Sequence, residues 1–254
     1  MAGKDRKKEL ARRRYERQQA HRAAEEAAAK RRSLIGASVA TAVVVLGVAG
    51  AAYAFTRDEE KADDPTVAAE TPKPGECLYS SEGEAAKDVG APPAKPVHDG
   101  DVEAKVKTSA GEFTFTLDGK KAPCTVNSFA HLAKEKYFDG TECHRLTDNV
   151  LQCGDPTGSG SGGPGYQFAN ENTEGARYKK GVLAMANAGP DTNGSQFFIV
   201  YKDWDDLPAN YTVFGTVSSG LDKVEEIADA GSEPEGDGKP KKKVEIDSVS
   251  IAKK

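Results

Sequence analysis

Between Ser33 and Phe55 the chain carries no charged residue and consists mainly of Ala, Val, Leu, Ile and Gly. At 1.5 Å rise per residue, about 20 apolar residues cross the hydrocarbon core of a bilayer. The run has no polar face, which argues against a helix buried in a globular core. Lys30-Arg31-Arg32 stand before it and Asp58-Glu59-Glu60 after it. The positive-inside rule then predicts one transmembrane helix over 33–55, single-pass in the cell membrane, with the N-terminus cytoplasmic and the remainder extracytoplasmic. Two export readings compete with a retained anchor. Arg31-Arg32-Ser33-Leu34-Ile35 has the form of a twin-arginine signal, and Ala52-Tyr53-Ala54 that of a signal-peptidase site. Whether the helix is cleaved stays open, but each reading exports the C-terminal part.

The charge distribution divides the chain at the same place. Residues 1–32 hold twelve Lys or Arg against five acidic residues, a balance of +7, so the rest must sum to −12 for the chain to reach its net −5. The basic stretch has good helix formers and no apolar stripe. It reads as a solvated cytoplasmic tail suited to anionic headgroups rather than to nucleic acid. Residues 56–100 are rich in Pro, Ala, Glu, Asp and Lys, with few large apolar side chains, and read as a disordered linker. Cys77-Leu78-Tyr79 interrupts it as a hydrophobic spot able to dock on a domain. The four cysteines, Cys77, Cys124, Cys143 and Cys153, suit an oxidising compartment, and their pairing is left open among three possibilities.

A folded domain is expected over 101–254. Val102, Ala104 and Val106 alternate with polar residues, as do Phe113, Phe115 and Leu117, which predicts a β-hairpin with one buried face. Pro123 suits a first helical turn, and Val126, Phe129, Ala130 and Ala133 follow helical spacing. A second helix is predicted over 221–229 from Leu221, Val224, Ile227 and Ala228. Val244, Ile246, Val249 and Ile251 form a last strand whose phase slips once, as a bulge would make it do. Strands throughout with only two helices suggest a mainly β fold, a closed barrel capped by helices.

Common catalytic arrangements do not fit. Cys143, His144 and Cys153 lack the paired spacing of structural zinc sites. Gly158, Gly160, Gly162 and Gly163 join no strand to a helix and precede no Lys-Ser or Lys-Thr, so they read as a surface loop. No G-x-S-x-G elbow is present, and His98, His131 and His144 have no triad context.

The segment Met185-Ala186-Asn187-Ala188-Gly189-Pro190-Asp191-Thr192-Asn193-Gly194-Ser195-Gln196-Phe197-Phe198-Ile199 closely resembles the central signature of the cyclophilins. His144-Arg145, Gln152-Cys153-Gly154-Asp155 and Val213-Phe214-Gly215 flank it in that family's order. The resemblance covers roughly 101–254 and suggests a membrane-anchored bacterial form. It implies a closed eight-stranded antiparallel β-barrel capped by two α-helices, and peptidyl-prolyl cis-trans isomerase activity during the folding of exported proteins. The alternative is a non-catalytic binding module, or chaperone, for proline-containing segments. The resemblance further implies Arg145 as the catalytic arginine, Gln152 as a hydrogen-bonding partner of the substrate backbone and Phe198 as the floor under the proline. Ala186, Asn187 and Gln196 would line the groove, with Leu207 and Tyr211 on its outer wall. Proline-containing polypeptides are the implied partners of a monomer, and no metal or cofactor is required.

Two departures from the family stand out. The stretch 146–151 is one residue short, so Asn149 and Val150 occupy places where the family carries an aromatic and a methionine; the resemblance implies Val150 as a substrate-binding residue, and the site should be shallower there. Asp206 falls where many relatives carry a tryptophan that helps hold cyclosporin, and Trp204 is out of register. Weak cyclosporin binding follows.

Overall fold

The computed structural model describes residues 73–252. The expected tail at 1–32, transmembrane helix at 33–55 and start of the linker lie outside the described residues. The described residues belong to one compact unit, 68–254. Among the described residues no helix is long and apolar enough to cross a membrane.

The expected hairpin is present as β2 (Asp101–Thr108) and β3 (Gly111–Asp118), after a two-residue strand β1 (Ser80–Ser81). In β2 every second residue is buried, and in β3 Phe113, Phe115 and Leu117 are at most 1% exposed. Burying each such side chain contributes about 1.5–3 kcal/mol. Helix α1 (Pro123–Lys134) begins on its proline without a side-chain cap of its own. Instead Glu171 accepts from the amides of Cys124 and Thr125 at 3.0 and 2.8 Å, and from Thr125 Oγ1 at 2.6 Å. A carboxylate at this end satisfies orphan donors and complements the helix dipole.

The short strands that follow are β4 (Thr141–Glu142), β5 (Arg145–Thr147), β6 (Val150–Cys153), β7 (Tyr166–Gln167), β8 (Val182–Met185) and β9 (Phe197–Val200). The chain continues through β10 (Val213–Ser219), α2 (Leu221–Ala230), β11 (Ser232–Glu233), β12 (Asp237–Pro240) and β13 (Glu245–Ile251). The slipped phase of the last strand is a register shift between Ile246 and Ser248.

Apart from β1 with β7, all strands join one antiparallel sheet in the order β11-β12-β5-β6-β9-β8-β10-β3-β2-β13-β4. Its hydrogen-bonded ladder has two ends, so a barrel closed by strand pairing is not what the registers describe. Yet β4, at one end, is separated from β5, near the other, by only Cys143 and His144. Glu142 and Arg145 are three residue steps apart and so stand within about 11 Å of each other. The sheet must therefore curl round, and the main core fills its inside.

Residues 73–100 correct the linker reading for that part of the segment. Cys77 is bonded to Cys124, and the Tyr79 ring meets Tyr166 and Phe168 edge-on at 5.5 Å each. Asn127, on α1, donates to Pro93 O at 2.8 Å and to Tyr79 Oη at 3.0 Å. Composition underestimates such a strap because one disulfide and one aromatic anchor replace a core of its own.

Candidate active site

Antiparallel registers place Arg145 opposite Gln152, Gln152 opposite Phe198, Phe198 opposite Ala184, and Ala184 opposite Val213. Directly opposed residues share a face, so these five side chains form one row across β5, β6, β9, β8 and β10. The adjacent row, Leu146, Leu151, Ile199 and Leu183, points into the main core and is at most 2% exposed. Period-two alternation thus separates the core from a second apolar cluster on the outer face. That cluster holds Val150, Tyr178, Ala184, Phe198 and Val200, with Trp204, Leu207, Tyr211 and Val213 packed on it.

At the polar end of the row, Arg145 Nε donates to Asp237 Oδ1 at 2.7 Å and NH2 donates to Oδ2 at 2.9 Å. NH1 donates to Gln152 Oε1 at 3.0 Å. A guanidinium has five N–H donors. Three are engaged here, which leaves two for another group. The hydrogen bonds from Arg145 to Asp237 and the negative charge beside it hold the guanidinium above its ordinary range, against the opposing effect of burial.

The network continues outward. Gln152 Nε2 donates to Gln196 Oε1 at 2.9 Å, and Gln196 Nε2 donates to the carbonyls of Gly160 and Gly162 at 3.1 and 3.0 Å. The glycine-rich loop is wound about Asp155, whose carboxylate accepts from the amides of Thr157, Gly160 and Gly162 at 2.7, 2.6 and 3.1 Å. Burial raises the Asp155 pKa, but these donors and the Thr157 hydroxyl outweigh it and leave the pKa below its ordinary value. Gly154, at φ +92°, lets the chain leave β6 close to β9, where a Cβ would stand 2.3 Å from Ser195 O.

At the apolar end, Phe198 meets Tyr211 edge-on at 5.6 Å, and Tyr178 lies tilted against it at 6.3 Å. Tyr178 Oη donates to Tyr211 O at 3.0 Å and accepts from Tyr211 N at 2.9 Å, so Tyr178 sets the backbone that carries the wall. The short 146–151 stretch closes as a tight turn in which Thr147 Oγ1 accepts from the amides of Asn149 and Val150 at 3.3 and 3.2 Å. Asn149 then reaches across to Asp203 O at 2.9 Å. Val150, expected to touch substrate, is only 2% exposed and is itself a member of the apolar cluster.

Gln152, Ala186, Asn187 and Gln196 line one cavity of about 530 Å³ next to this row. Two clefts of about 620 Å³ lie elsewhere and share none of the expected site residues, so chemistry and not size locates the site. The structure brings the expected residues together as a cationic fork, a carboxamide pair, a groove and an apolar cluster. Sequence reasoning missed Asp237, Tyr178, Asn149 and Asp155's role in the loop. Asp237, Tyr178 and Asn149 act through distant chain segments that no local pattern marks, whereas Asp155 acts on the loop that follows it within seven residues. Cys143 and Cys153, one on each side of the β5–β6 hairpin, are bonded to each other.

Such a site can hold an extended peptide against the groove, seat a ring on the cluster and offer N–H donors to an amide between them. Residues 103–251 match the family described as cyclophilin type peptidyl-prolyl cis-trans isomerase/CLD, and the chain belongs to that family. It is 48% identical over 174 residues to the probable peptidyl-prolyl cis-trans isomerase B of Mycobacterium tuberculosis, covering 61% of this chain and 56% of that protein. To the protein of the same name from Mycobacterium leprae it is 44% identical over 196 residues, covering 69% of this chain and 66% of the relative. The chain therefore matches somewhat less than two thirds of either. A solved cyclophilin-type isomerase of Cryptosporidium parvum superposes with a TM-score of 0.56 at 30% identity, covering 61% of this chain and 99% of that one. The same Cryptosporidium protein, solved in the presence of the dipeptide Ala-Pro, gives a TM-score of 0.55.

Proposed function

We propose that the chain is a peptidyl-prolyl cis-trans isomerase that accelerates X–Pro isomerisation while exported proteins fold. The observation that carries this reading is the row Arg145, Gln152, Phe198, with Arg145 pinned by Asp237 yet retaining N–H donors. Resonance in the peptide bond leaves a barrier of roughly 18–20 kcal/mol. Twisting the X–Pro amide localises a lone pair on the prolyl nitrogen. Arg145 donates to that nitrogen only in the twisted state, which lowers the barrier rather than merely binding the ground state. Its charge persists at every working pH, so no proton transfer is needed. Phe198, walled by Leu207 and Tyr211, receives the proline ring, and Gln152 with Ala186, Asn187 and Gln196 holds the extended backbone. The Ala-Pro dipeptide used with the Cryptosporidium relative supports a substrate of this class.

Two finer readings accompany the first. The curled sheet is the family's eight-stranded barrel, closed through the β4–β5 connection. Residues 33–55 anchor a monomeric domain outside the membrane, a placement supported by the flanking charges and by two disulfides suited to an oxidising compartment. External protease on intact cells should then digest 101–252 while sparing 1–32. Protection of the domain would overturn this topology.

The deciding assay is protease-coupled isomerisation of a short Ala-Pro peptide by the full chain in detergent, beside Arg145→Ala. Turnover that falls about 100-fold in the variant is expected, as for loss of one transition-state donor. Equal turnover in both proteins would remove Arg145 from the mechanism. Absent turnover with retained peptide binding in both would identify a binding module instead.

A further inference from the structure

The cavity beside Gln152 and Gln196 has an outer lip that no part of the 101–254 domain supplies. The strap forms it. Ser80 and Ser81 pair with Gln167 and Tyr166, Glu82 N donates to Gly165 O at 3.0 Å, and Ala86 N donates to Gly163 O at 2.9 Å. The approach is close enough that a Cβ on Gly165, at φ +81°, would stand 2.9 Å from Ala85 Cβ. The disulfide Cys77–Cys124 and the Tyr79 hydroxyl, which donates to Cys124 O at 2.8 Å, anchor the strap just upstream. Glu82, Gly83 and Glu84 thereby become lining residues of the cavity, together with Gln152, Ala186, Asn187 and Gln196.

The charged side chains that line this cavity are all acidic, and the adjacent cation Arg145, which donates to the lining Gln152 at 3.0 Å, is itself paired with Asp237. The cavity's remaining lining residues are Gly, Ser, Thr, Pro, Ala, Asn, Gln and one Tyr, so Glu82 and Glu84 are its only charged side chains. Neither carboxylate has an ion-pair or hydrogen-bond partner among the described residues. Asp155, about which the glycine-rich loop is wound, is already engaged by its own donors. An unpaired pair of carboxylates over a polar cavity attracts a cation and repels an anion.

We infer that the strap makes this cavity a side-chain subsite selective for Lys or Arg, so that preferred substrates carry a basic residue close to the X–Pro bond but outside it. The inference rests on the groove reading of Gln152, Ala186, Asn187 and Gln196. The two acids are specificity residues and take no part in twisting the amide. Because both are exposed, the selectivity is screened by salt.

The test uses the full chain in detergent and a peptide series with a central Ala-Pro, in which Lys, Ala or Glu is placed in turn at each of the three positions on either side. At one position, kcat/KM for Lys over Glu should reach roughly three- to tenfold at low ionic strength and approach unity at 0.5 M salt. Glu82→Gln with Glu84→Gln should collapse the ratio, and Glu82→Lys with Glu84→Lys should invert it. Asp222→Asn on α2, outside the cavity, should leave it as in the parent. A ratio near unity at every position, or one unmoved by the Glu82 and Glu84 changes, would overturn the inference while leaving turnover of the Ala peptides intact. If no peptide is turned over, the isomerase reading fails separately. Fluorescence anisotropy with the same Lys and Glu peptides then decides, with equal affinities refuting the subsite.

Discussion

Arg145 and Asp237 lie 92 residues apart in sequence and meet through two parallel hydrogen bonds of 2.7 and 2.9 Å. Strand β12 carries Asp237 to β5 by pairing Asp237 with Thr147 and Gly238 with Leu146. The Arg145 side chain is 42% exposed and that of Asp237 58%. A pair this open contributes at most about 1 kcal/mol to stability. Its value lies in geometry, because a two-point contact stops the guanidinium from rotating.

Asp237→Asn should therefore leave the Tm almost unchanged and lower kcat about tenfold, equivalent to ~1.4 kcal/mol in the barrier, with KM little altered. Arg145→Lys should lose activity as well, since an ammonium cannot be held by a fork. Steady-state kinetics on an Ala-Pro peptide separates the two parameters. A fall in Tm that parallels the fall in kcat would show a structural role instead.

Tyr178 is 2% exposed and fixes Tyr211 from both sides through one hydroxyl. In Tyr178→Phe the Tyr211 amide loses its acceptor and its carbonyl a donor, which should cost about 1–3 kcal/mol in chemical denaturation. KM should rise while kcat holds, because the wall moves and Arg145 does not.

The Cys77–Cys124 bridge closes a loop with a sequence separation of 47. Replacing both cysteines by serine should destabilise the chain by about 2–4 kcal/mol. It should also open new protease cuts between 77 and 100. Unchanged cutting would mean that Tyr79 and Asn127 hold the strap without the bridge.

His144 is 8% exposed, and neither ring nitrogen has a hydrogen-bond partner. Burial pushes its pKa below the ordinary 6.5; Asp155 opposes this, and Arg145 and Lys239 reinforce it. The unfolded chain thus binds a proton that the folded chain rejects, so stability is complete above pH 6.5 and declines as pH falls toward the lower folded-state pKa. Asp155, whose pKa is lowered, contributes stability above 3.8 that is lost only further into acid. His144→Leu should flatten the Tm profile between pH 7 and 5 and leave the Asp155 region unaltered. An unchanged slope would assign the acid sensitivity elsewhere.

The sequence by itself determined much of this protein. Alternation in 102–106 and 113–117 predicts the hairpin, Pro123 with its helical spacing predicts α1, and the phase slip after Ile246 predicts the shift in β13. These are local periodicities, imposed by the backbone on any half-buried segment. The signature around Phe198, with Arg145 and Gln152 in order, marked the site because its residues cluster in short runs. Only tertiary structure decided what lies between such runs. Asp237 reaches Arg145 through strand order, and Tyr178 reaches Tyr211 across the outer cluster. Cys77 finds Cys124 rather than Cys143 or Cys153, and Glu82 and Glu84 meet a cavity built more than sixty residues later. Each contact depends on which segments the curled sheet brings within hydrogen-bonding or bonding distance, and no local spacing encodes that.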